Sequence, residues 1–220
     1  MPKSAKKLRS NPAWIERHIN DPFVKRSKAE GYRARSAYKL LELNEKEKLF
    51  RPGITVVDLG SAPGSWTQVA RSKMVNAAGK FSGHLVAMDI LPMEPVPDAV
   101  FLQGDFREQE VADQLSALLA DGKVDVVLSD MAPNLSGIPA VDAAASLLLN
   151  ELALEFALEH LCENGVLVVK AFQGSGYSQF IETVKRHFKS VSQRKPEASR
   201  DTSPEMYVVA KNLKHGGGVS

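Results

Sequence analysis

Two charged residues follow directly on apolar segments of strand length, and both could take part in acid–base chemistry. Lys170 follows residues 166–169, all of them aliphatic, and Asp130 follows the apolar run 124–129. A lysine in such a place is poorly hydrated, and burial disfavours its charged form. We therefore interpret Lys170 as a candidate general base and Asp130 as the group that orients it. The alternative is a lysine whose ammonium reaches the surface and pairs with an acid there.

Three further polar sites follow successive apolar runs, one for each run. The first is the glycine-containing turn in residues 58–66, the second is Asp89 and the third is Asp105. In an open α/β sheet, ligands bind beyond the carboxyl ends of the strands. An acid after the second strand can accept both hydroxyls of a ribose, and an acid after the third can accept the exocyclic amine of adenine. Together the three sites predict a cofactor that contains adenosine.

Other ligands fit this pattern less well. A dinucleotide site needs Gly-x-Gly-x-x-Gly, whereas the turn has only Gly60 and Gly64, with Pro63 removing a backbone donor between them. A Walker loop is absent. Asp58 can be read equally well as a ligand-binding acid or as one that braces the turn through backbone hydrogen bonds. The histidines lack spaced partners, so we expect no metal.

Apolar runs and amphipathic stretches alternate along the chain, which predicts strands joined by helices. We expect strands over residues 54–59, 84–90, 100–103, 124–129, 166–171, 191–194 and 205–210. We expect helices over residues 35–50, 65–75, 110–120, 140–161 and 178–188. This alternation predicts an α/β fold with a mostly parallel, doubly wound sheet. The last two strands have no helical pattern between them, which favours an antiparallel edge.

Charge is distributed unevenly between the first 40 residues and the rest of the chain. The net charge is +2, but residues 1–40 carry +8 and the remainder carries −6. The aromatic residues Trp14, Phe23, Tyr32 and Tyr38 lie among these basic residues, so we expect this region to meet a nucleic acid. Residues 1–12 alone also fit a solvated tail or, less well, an organelle-targeting leader.

Length and composition narrow the class of protein. A chain of 220 residues that is 44% hydrophobic fits one globular domain. It has neither an apolar run long enough to span a bilayer nor a signal peptide, so we expect a cytoplasmic protein without a membrane partner. Cys162 is the only cysteine, which rules out an internal disulfide bond.

Five ordered motifs carry a resemblance to a known family. The chain resembles the FtsJ/RrmJ family of ribose 2′-O-methyltransferases over roughly residues 14 to 210. The motifs are RSAYKL (35–40), VDLGSAPGSW (57–66), SDMAPN (129–134), VKAFQG (169–174) and KPEASRDTSPEMY (195–207). The resemblance implies a Rossmann-like methyltransferase fold and S-adenosylmethionine as cofactor. Ser65 stands where a glycine is common in the family, which weakens the inference for that one backbone contact.

The resemblance also implies roles for individual residues. A catalytic Lys-Asp-Lys-Glu tetrad falls on Lys39, Asp130, Lys170 and Glu205, and Gly64, Trp66, Asp89, Asp105 and Asp130 would line the cofactor pocket. Trp66 could instead belong to the core. The implied substrate is a uridine in 23S large-subunit ribosomal RNA, within the assembled subunit. Residues 14–39, with Arg194, Lys195 and Arg200, would receive the RNA.

We divide the chain accordingly and keep several alternatives open. Residues 1–34 are predicted to be a basic RNA-contacting segment, 35–212 the methyltransferase domain and 213–220 a flexible tail, in a monomer. The alternatives are a non-catalytic RNA-binding factor in ribosome assembly and an enzyme that methylates another RNA such as transfer RNA. Base-carbon and amino-group methylation fit poorly, because Cys162 lies far from the strand ends and residues 130–133 lack the motif typical of amino methylation.

Overall fold

Seven strands form one mixed sheet, here described from a computed structural model that covers residues 20–119, 122–134 and 136–214. The order across the sheet is β3-β2-β1-β4-β5-β7-β6. All pairings from β3 to β5 are parallel, whereas β7 runs antiparallel to both β5 and β6. The strands are β1 Ile54–Leu59, β2 Gly83–Asp89, β3 Ala99–Gln103, β4 Val124–Ser129, β5 Leu161–Phe172, β6 Phe188–Arg194 and β7 Glu205–Leu213. The predicted α/β fold and its antiparallel edge are confirmed. The strand that runs in the opposite direction is β7, and β6 lies outside it as the edge strand.

Six helices flank the sheet in the described part of the chain. They are α1 Pro22–Glu30, α2 Ala37–Glu47, α3 Ser65–Lys73, α4 Gln109–Ala117, α5 Pro139–His160 and α6 Tyr177–His187. The five predicted helices lie within a few residues of their expected bounds, although Ala120, where one was expected to end, lies outside the described residues. Over residues 20–119, 122–134 and 136–214, no helix combines the length and apolar character needed to cross a bilayer.

Helix α1 was not predicted from the sequence, although its end signals are regular. The Asp21 carboxylate accepts the backbone N–H of Phe23, Pro22 occupies the first turn, and Gly31 ends the helix at a φ of 78°. Phe23 lies 5.5 Å from the Tyr38 ring of α2, centre to centre. The described part of the basic segment therefore packs against α2, while the boundary between residues 34 and 35 stays a prediction.

The sheet separates two hydrophobic clusters because alternate strand residues point to opposite faces. In β1, Val57 and Leu59 pack in the cluster beneath α4, α5 and α6. Ile54 and Val56 pack in the other cluster, which α2 and α3 cover. The same alternation places every second residue at the ends of β5 and β7 on the α2 side, and this is the side on which the reactive groups are found.

Ion pairs around Glu47 attach the carboxyl end of α2 to the antiparallel edge of the sheet. The Glu47 side chain is 8% exposed, and its carboxylate lies 2.6 Å from Lys211 and 2.7 Å from Arg194. Lys211 also donates to the Glu47 carbonyl oxygen at 2.9 Å. Burial raises the pKa of Glu47, but the bonds from Lys211 and Arg194 outweigh burial and leave that pKa below its ordinary value.

We predict that Glu47→Ala destabilises the protein by about 1–3 kcal/mol, because it leaves two cations at the edge of the sheet without their shared partner. Urea-induced unfolding measures the change. The control is Glu182→Ala, which removes an ion pair with Lys185 between half-exposed side chains and should change stability by less than about 0.5 kcal/mol. Equal effects from the two substitutions would contradict a structural role for Glu47.

Candidate active site

A cleft of about 550 Å³ opens beyond the carboxyl ends of β1 to β4. It lies where the strand order reverses on either side of β1, the position at which open α/β sheets bind ligands. Its volume falls in the range of cofactor sites, roughly 300–1,000 Å³. The residues that line it include Gly60, Ala62, Asp89, Ile90, Leu91, Gly104, Asp105, Phe106, Asp130, Met131 and Leu148.

Two glycines shape the turn between β1 and α3, each for a different reason. Both have positive φ angles, 75° at Gly60 and 106° at Gly64. A Cβ atom on Gly60 would overlap Met131 across the cleft, whereas a Cβ on Gly64 would lie 2.6 Å from the Arg33 guanidinium and 2.9 Å from the Met93 sulfur. Gly60 therefore lets the neighbouring loop approach, and Gly64 lets residues outside the cleft pack against the turn.

Asp89, at the end of β2, joins two loops that border the cleft. One carboxylate oxygen accepts the backbone N–H of Ala62 and the other that of Leu91, both at 2.8 Å. The residue is 9% exposed. Each oxygen can accept a second hydrogen bond, so this carboxylate can brace the loops and still receive ligand hydroxyls.

Asp105, after β3, also lines the cleft, and its carboxylate forms an ion pair with Arg107. The Arg107 guanidinium donates to both of its oxygens, with a shortest distance of 2.5 Å. The bond from Arg107 lowers the pKa of Asp105 and keeps it ionised. Asp105 is therefore an acceptor beside the cleft whose oxygens a ligand would share with Arg107.

Asp58 is fully buried behind the glycine turn. Thr67 donates to one carboxylate oxygen at 2.6 Å, and the other has no hydrogen-bond partner among the described residues. Burial, together with the nearby charges of Asp130 and Asp89, raises the pKa of Asp58 to about 7, although the bond from Thr67 opposes the rise. The carboxylates at these strand ends thus repel one another, and a ligand with positive charge would relieve the repulsion.

The Lys170 amine is held by a single residue at the edge of the cleft. Its Nζ donates to the Asp130 carbonyl oxygen at 2.6 Å and lies 3.0 Å from the Asp130 carboxylate. The Lys170 side chain is only 10% exposed. Because Asp130 also lines the cleft, the predicted base lies next to the predicted cofactor site. The two residues that the strand pattern paired are therefore in contact.

A second buried ion pair joins α2 to the antiparallel edge. Lys39 Nζ lies 2.5 Å from the Glu205 carboxylate, and the two side chains are 13% and 10% exposed. Burial raises the pKa of Glu205, but Lys39, Ser199 and Lys170 outweigh burial and leave it below its ordinary value. Lys39 Nζ also lies 5.7 Å from the centre of the Tyr207 ring, and Tyr207 pairs with Lys170 in the β5–β7 register, so the two ion pairs belong to one cluster.

Tyr207 belongs to the same cluster and was missed in the sequence. Its hydroxyl donates to the Asp130 carboxylate at 3.0 Å, and it pairs with Lys170 in the β5–β7 register. Burial and the Asp130 charge raise the Tyr207 pKa well above its ordinary value, so the phenol stays a donor. Tyr207 is the last residue of the fifth motif. Its role depends on its pairing with Lys170 across β5 and β7, and the sequence pattern does not specify that register.

Trp66 lies in the core rather than on the lining of the cleft. The residue is 2% exposed, its ring centre is 5.6 Å from that of Tyr207, and its Nε1 donates to the Ser36 carbonyl oxygen at 2.9 Å. The indole therefore supports the cluster from behind. A direct contact with the cofactor stays a prediction.

The predicted RNA-contacting residues lie on the α2 side of the molecule where they are described, whereas Trp14 lies outside the described residues. Lys25, Arg26 and Lys28 are exposed on α1. Arg194 pairs with Glu47, Lys195 donates to the Ser203 carbonyl oxygen, and Arg200 lies 3.9 Å from Asp21. Across the same described ranges, no group of three or more His, Cys, Asp or Glu side chains could hold a metal ion.

Comparison with known proteins supports the resemblance drawn from the five motifs. A model of FtsJ-like methyltransferases matches residues 32–213. Proteins named ribosomal RNA large subunit methyltransferase E are similar: that of Ralstonia nicotianae is 53% identical, covering 96% of this chain and 99% of its own. That of Bordetella pertussis is 56% identical, covering 91% and 96%. A solved structure from Plasmodium falciparum, described as a ribosomal RNA methyltransferase, is 29% identical, with a TM-score of 0.73 over 83% of this chain and 98% of that one.

We predict that Asp58→Asn changes how stability depends on pH. A folded pKa raised from 3.8 to about 7 means that Asp58 favours the folded state below pH 4 and loses that contribution as the pH rises through 7. The loss amounts to at most about 4 kcal/mol. Between pH 5 and 8 the free energy of unfolding should fall less in the variant than in the unchanged protein. Parallel curves over this interval would contradict the raised pKa.

Proposed function

We propose that this chain, which belongs to the FtsJ-like methyltransferase family, transfers a methyl group from S-adenosylmethionine to the ribose 2′-hydroxyl of a uridine in 23S large-subunit ribosomal RNA. The observation that carries the proposal is the position of Lys170. Its amine touches Asp130, and Asp130 lines the cleft at the strand ends, so a base and a cofactor site share one residue.

The residues of the cleft suit S-adenosylmethionine. Asp89 retains acceptor capacity for ribose hydroxyls, and Asp105 offers an acceptor for the adenine amine. Asp130 adds a third carboxyl group to the lining, and the Asp58 carboxyl lies fully buried behind the glycine turn. Such an acidic site favours a ligand that carries a sulfonium and an ammonium group. When bound, this cofactor supplies an electrophilic methyl group.

Lys170 is arranged to accept the proton of the attacking hydroxyl. A neutral amine has two N–H donors and one lone pair, and Asp130 offers acceptors for two donors. The lone pair is then left for the 2′-hydroxyl proton, which moves to Nζ as the new carbon–oxygen bond forms and the carbon–sulfur bond breaks. The products are the 2′-O-methylated ribose, S-adenosylhomocysteine and a protonated Lys170.

The other three members of the cluster orient this amine and balance its charge. The Tyr207 hydroxyl donates to the Asp130 carboxylate and so fixes the acceptor that Lys170 uses. Lys39 pairs with the Glu205 carboxylate at 2.5 Å and adds a second amine to the cluster. The Glu205 carboxylate offsets the burial of Lys39 and prevents the cluster from carrying uncompensated charge.

The RNA substrate is supported by charge and by the relatives. Exposed cations of α1 and of residues 194–200 lie on the side of the sheet that bears Lys39 and Lys170. Phosphate contacts of this kind give affinity without reading sequence, so the target must be selected through RNA shape. The bacterial relatives are named for large-subunit ribosomal RNA, which makes that RNA the first substrate to test.

The test is to incubate the protein with methyl-labelled S-adenosylmethionine and RNA, digest the RNA to nucleosides and locate the label. We expect 2′-O-methyluridine from 23S RNA. Parallel reactions with free 23S RNA, assembled large subunits and transfer RNA identify the form that is methylated. Label on a base would overturn the proposed chemistry, label only in transfer RNA would overturn the substrate, and the absence of label from all three would favour the non-catalytic assembly factor.

We predict that Lys170→Ala lowers kcat by at least about 100-fold while the affinity for S-adenosylhomocysteine stays nearly unchanged, because the amine handles the proton rather than the cofactor. Single-turnover methylation and calorimetric titration measure the two quantities. The control is Lys189→Ala, a half-exposed lysine of β6 outside the cluster, which should retain full activity. Loss of cofactor binding with residual turnover would contradict the assignment of Lys170 as the base.

A further inference from the structure

Arg33 joins the basic segment to both loops that border the cofactor cleft. It lies between α1 and α2, and its guanidinium donates to the carbonyl oxygens of Pro63 at 3.0 Å, Glu94 at 2.5 Å and Pro95 at 2.8 Å. Pro63 belongs to the turn between β1 and α3, whereas Glu94 and Pro95 belong to the loop between β2 and β3. One side chain from the basic segment therefore connects two loops whose bonded residues, Pro63 and Glu94, are 31 residues apart in sequence.

The two loops bonded by Arg33 also form part of the cleft wall. Ala62 lines the cleft from one loop, and Ile90 and Leu91 line it from the other. Asp89 holds the same loops together from within the sheet, through the N–H groups of Ala62 and Leu91. Arg33 holds them through carbonyl groups from the outer side, so the width of the cleft depends on both residues.

The position of Arg33 is itself well fixed. Its backbone N–H donates to the Gln68 side chain at 3.0 Å, and Gln68 in turn donates to the Gly31 carbonyl oxygen at 3.1 Å. The guanidinium packs against Gly64, where no larger residue would fit. A movement of the segment before α2 would therefore also displace α3, through Gln68, and the glycine turn, through Gly64.

Arg33 retains donors that could bind a phosphate. A guanidinium has five N–H groups, and the three carbonyl bonds use two on Nη1 and one on Nη2. The Nε–H and one Nη2–H have no partner among the described residues. These nitrogens lie on one edge of the guanidinium, the edge with which arginine commonly binds a phosphate through two parallel hydrogen bonds.

We propose that Arg33 is a positioning residue that couples RNA binding to cofactor binding, an inference that rests on the proposed function. An RNA phosphate bound at the free edge of the guanidinium fixes the side chain in the rotamer that holds the two loops. Both ligands then favour the same arrangement of the two loops, so RNA raises cofactor affinity and the cofactor raises RNA affinity by the same factor. Because this coupling runs through loops and not through the catalytic cluster, it is measurable without turnover.

The experiment measures the Kd of labelled S-adenosylhomocysteine by equilibrium dialysis, with and without a saturating amount of unmodified 23S RNA transcript. S-adenosylhomocysteine has no methyl group to transfer, so no reaction occurs. For the unchanged protein we expect RNA to tighten binding by about five- to tenfold, within the usual range of coupling between sites. For Arg33→Lys, whose ammonium cannot bond three carbonyls and a phosphate together, we expect a ratio near one at RNA concentrations that saturate this variant.

The matched control is Arg26→Lys on α1. Arg26 is exposed and pairs with Glu30, and it has no hydrogen bond to either loop. We expect the full coupling ratio in this variant, even if its RNA affinity falls. Thermal unfolding checks that each variant is folded, and a second substitution, Arg33→Gln, replaces Arg33→Lys if that variant unfolds.

The outcomes separate this inference from the proposed function. A ratio near one in the unchanged protein, or full coupling in Arg33→Lys, overturns the role of Arg33 whether or not the protein methylates RNA. Coupling that is present in the unchanged protein and lost only in Arg33→Lys supports it. The labelling experiment on digested RNA tests the methyl transfer, and the dialysis experiment tests the role of Arg33. Each result can therefore be interpreted without the other.

Discussion

The site depends on one constraint, which is that a lysine amine at the end of a buried strand must be satisfied by hydrogen bonds. Asp130 meets this constraint with both its carbonyl and its carboxylate oxygens, and it does so because β4 and β5 are adjacent and parallel. Their carboxyl ends meet at one edge of the sheet, so the residue after β4 faces the last residues of β5. An amine left without these acceptors would be costly to bury. The sheet topology thus places the Lys170 amine, the proposed base, within one hydrogen bond of the edge of the cleft.

Helix α2 must be held as precisely as the strands, because it carries Lys39 to the cluster. Its carboxyl end is fixed through Glu47 to β6 and β7. Its middle is fixed through Glu42, whose carboxylate accepts the backbone N–H groups of Glu197 at 2.6 Å and Ala198 at 3.0 Å. These bonds tie α2 to the loop that immediately precedes Glu205. Both partners of the Lys39–Glu205 pair are consequently positioned by one set of contacts, which offsets the entropy of ordering two long side chains.

Much of the site could be predicted because its positions follow from strand ends. Lys170, Asp130, Asp89 and Asp105 each follow an apolar run, and such runs are visible in a single sequence. Lys39, Glu205 and Trp66 came only from the resemblance, since a charge on a helix or edge strand has no distinctive pattern. Tyr207 was missed because its role depends on an antiparallel register, and α1 was missed because its mostly polar sequence lacks a clear apolar stripe. Gly64 was predicted as a cofactor contact, yet the structure also shows a reason internal to the protein, the packing of Arg33 against it.

The opposite net charges of residues 1–40 and of the rest of the chain have a structural counterpart. Asp89, Asp105 and Asp130 line the cleft, so the cleft is acidic and would repel a phosphate backbone. The basic residues of α1 form a separate region that would attract it. This separation of charge would direct the proposed RNA substrate to the Lys39 side of the site and away from the cleft. Arg33 lies at the border between the two regions, where a cation can bond the loops of the acidic cleft through neutral carbonyls without cancelling the carboxylates that a cationic cofactor needs.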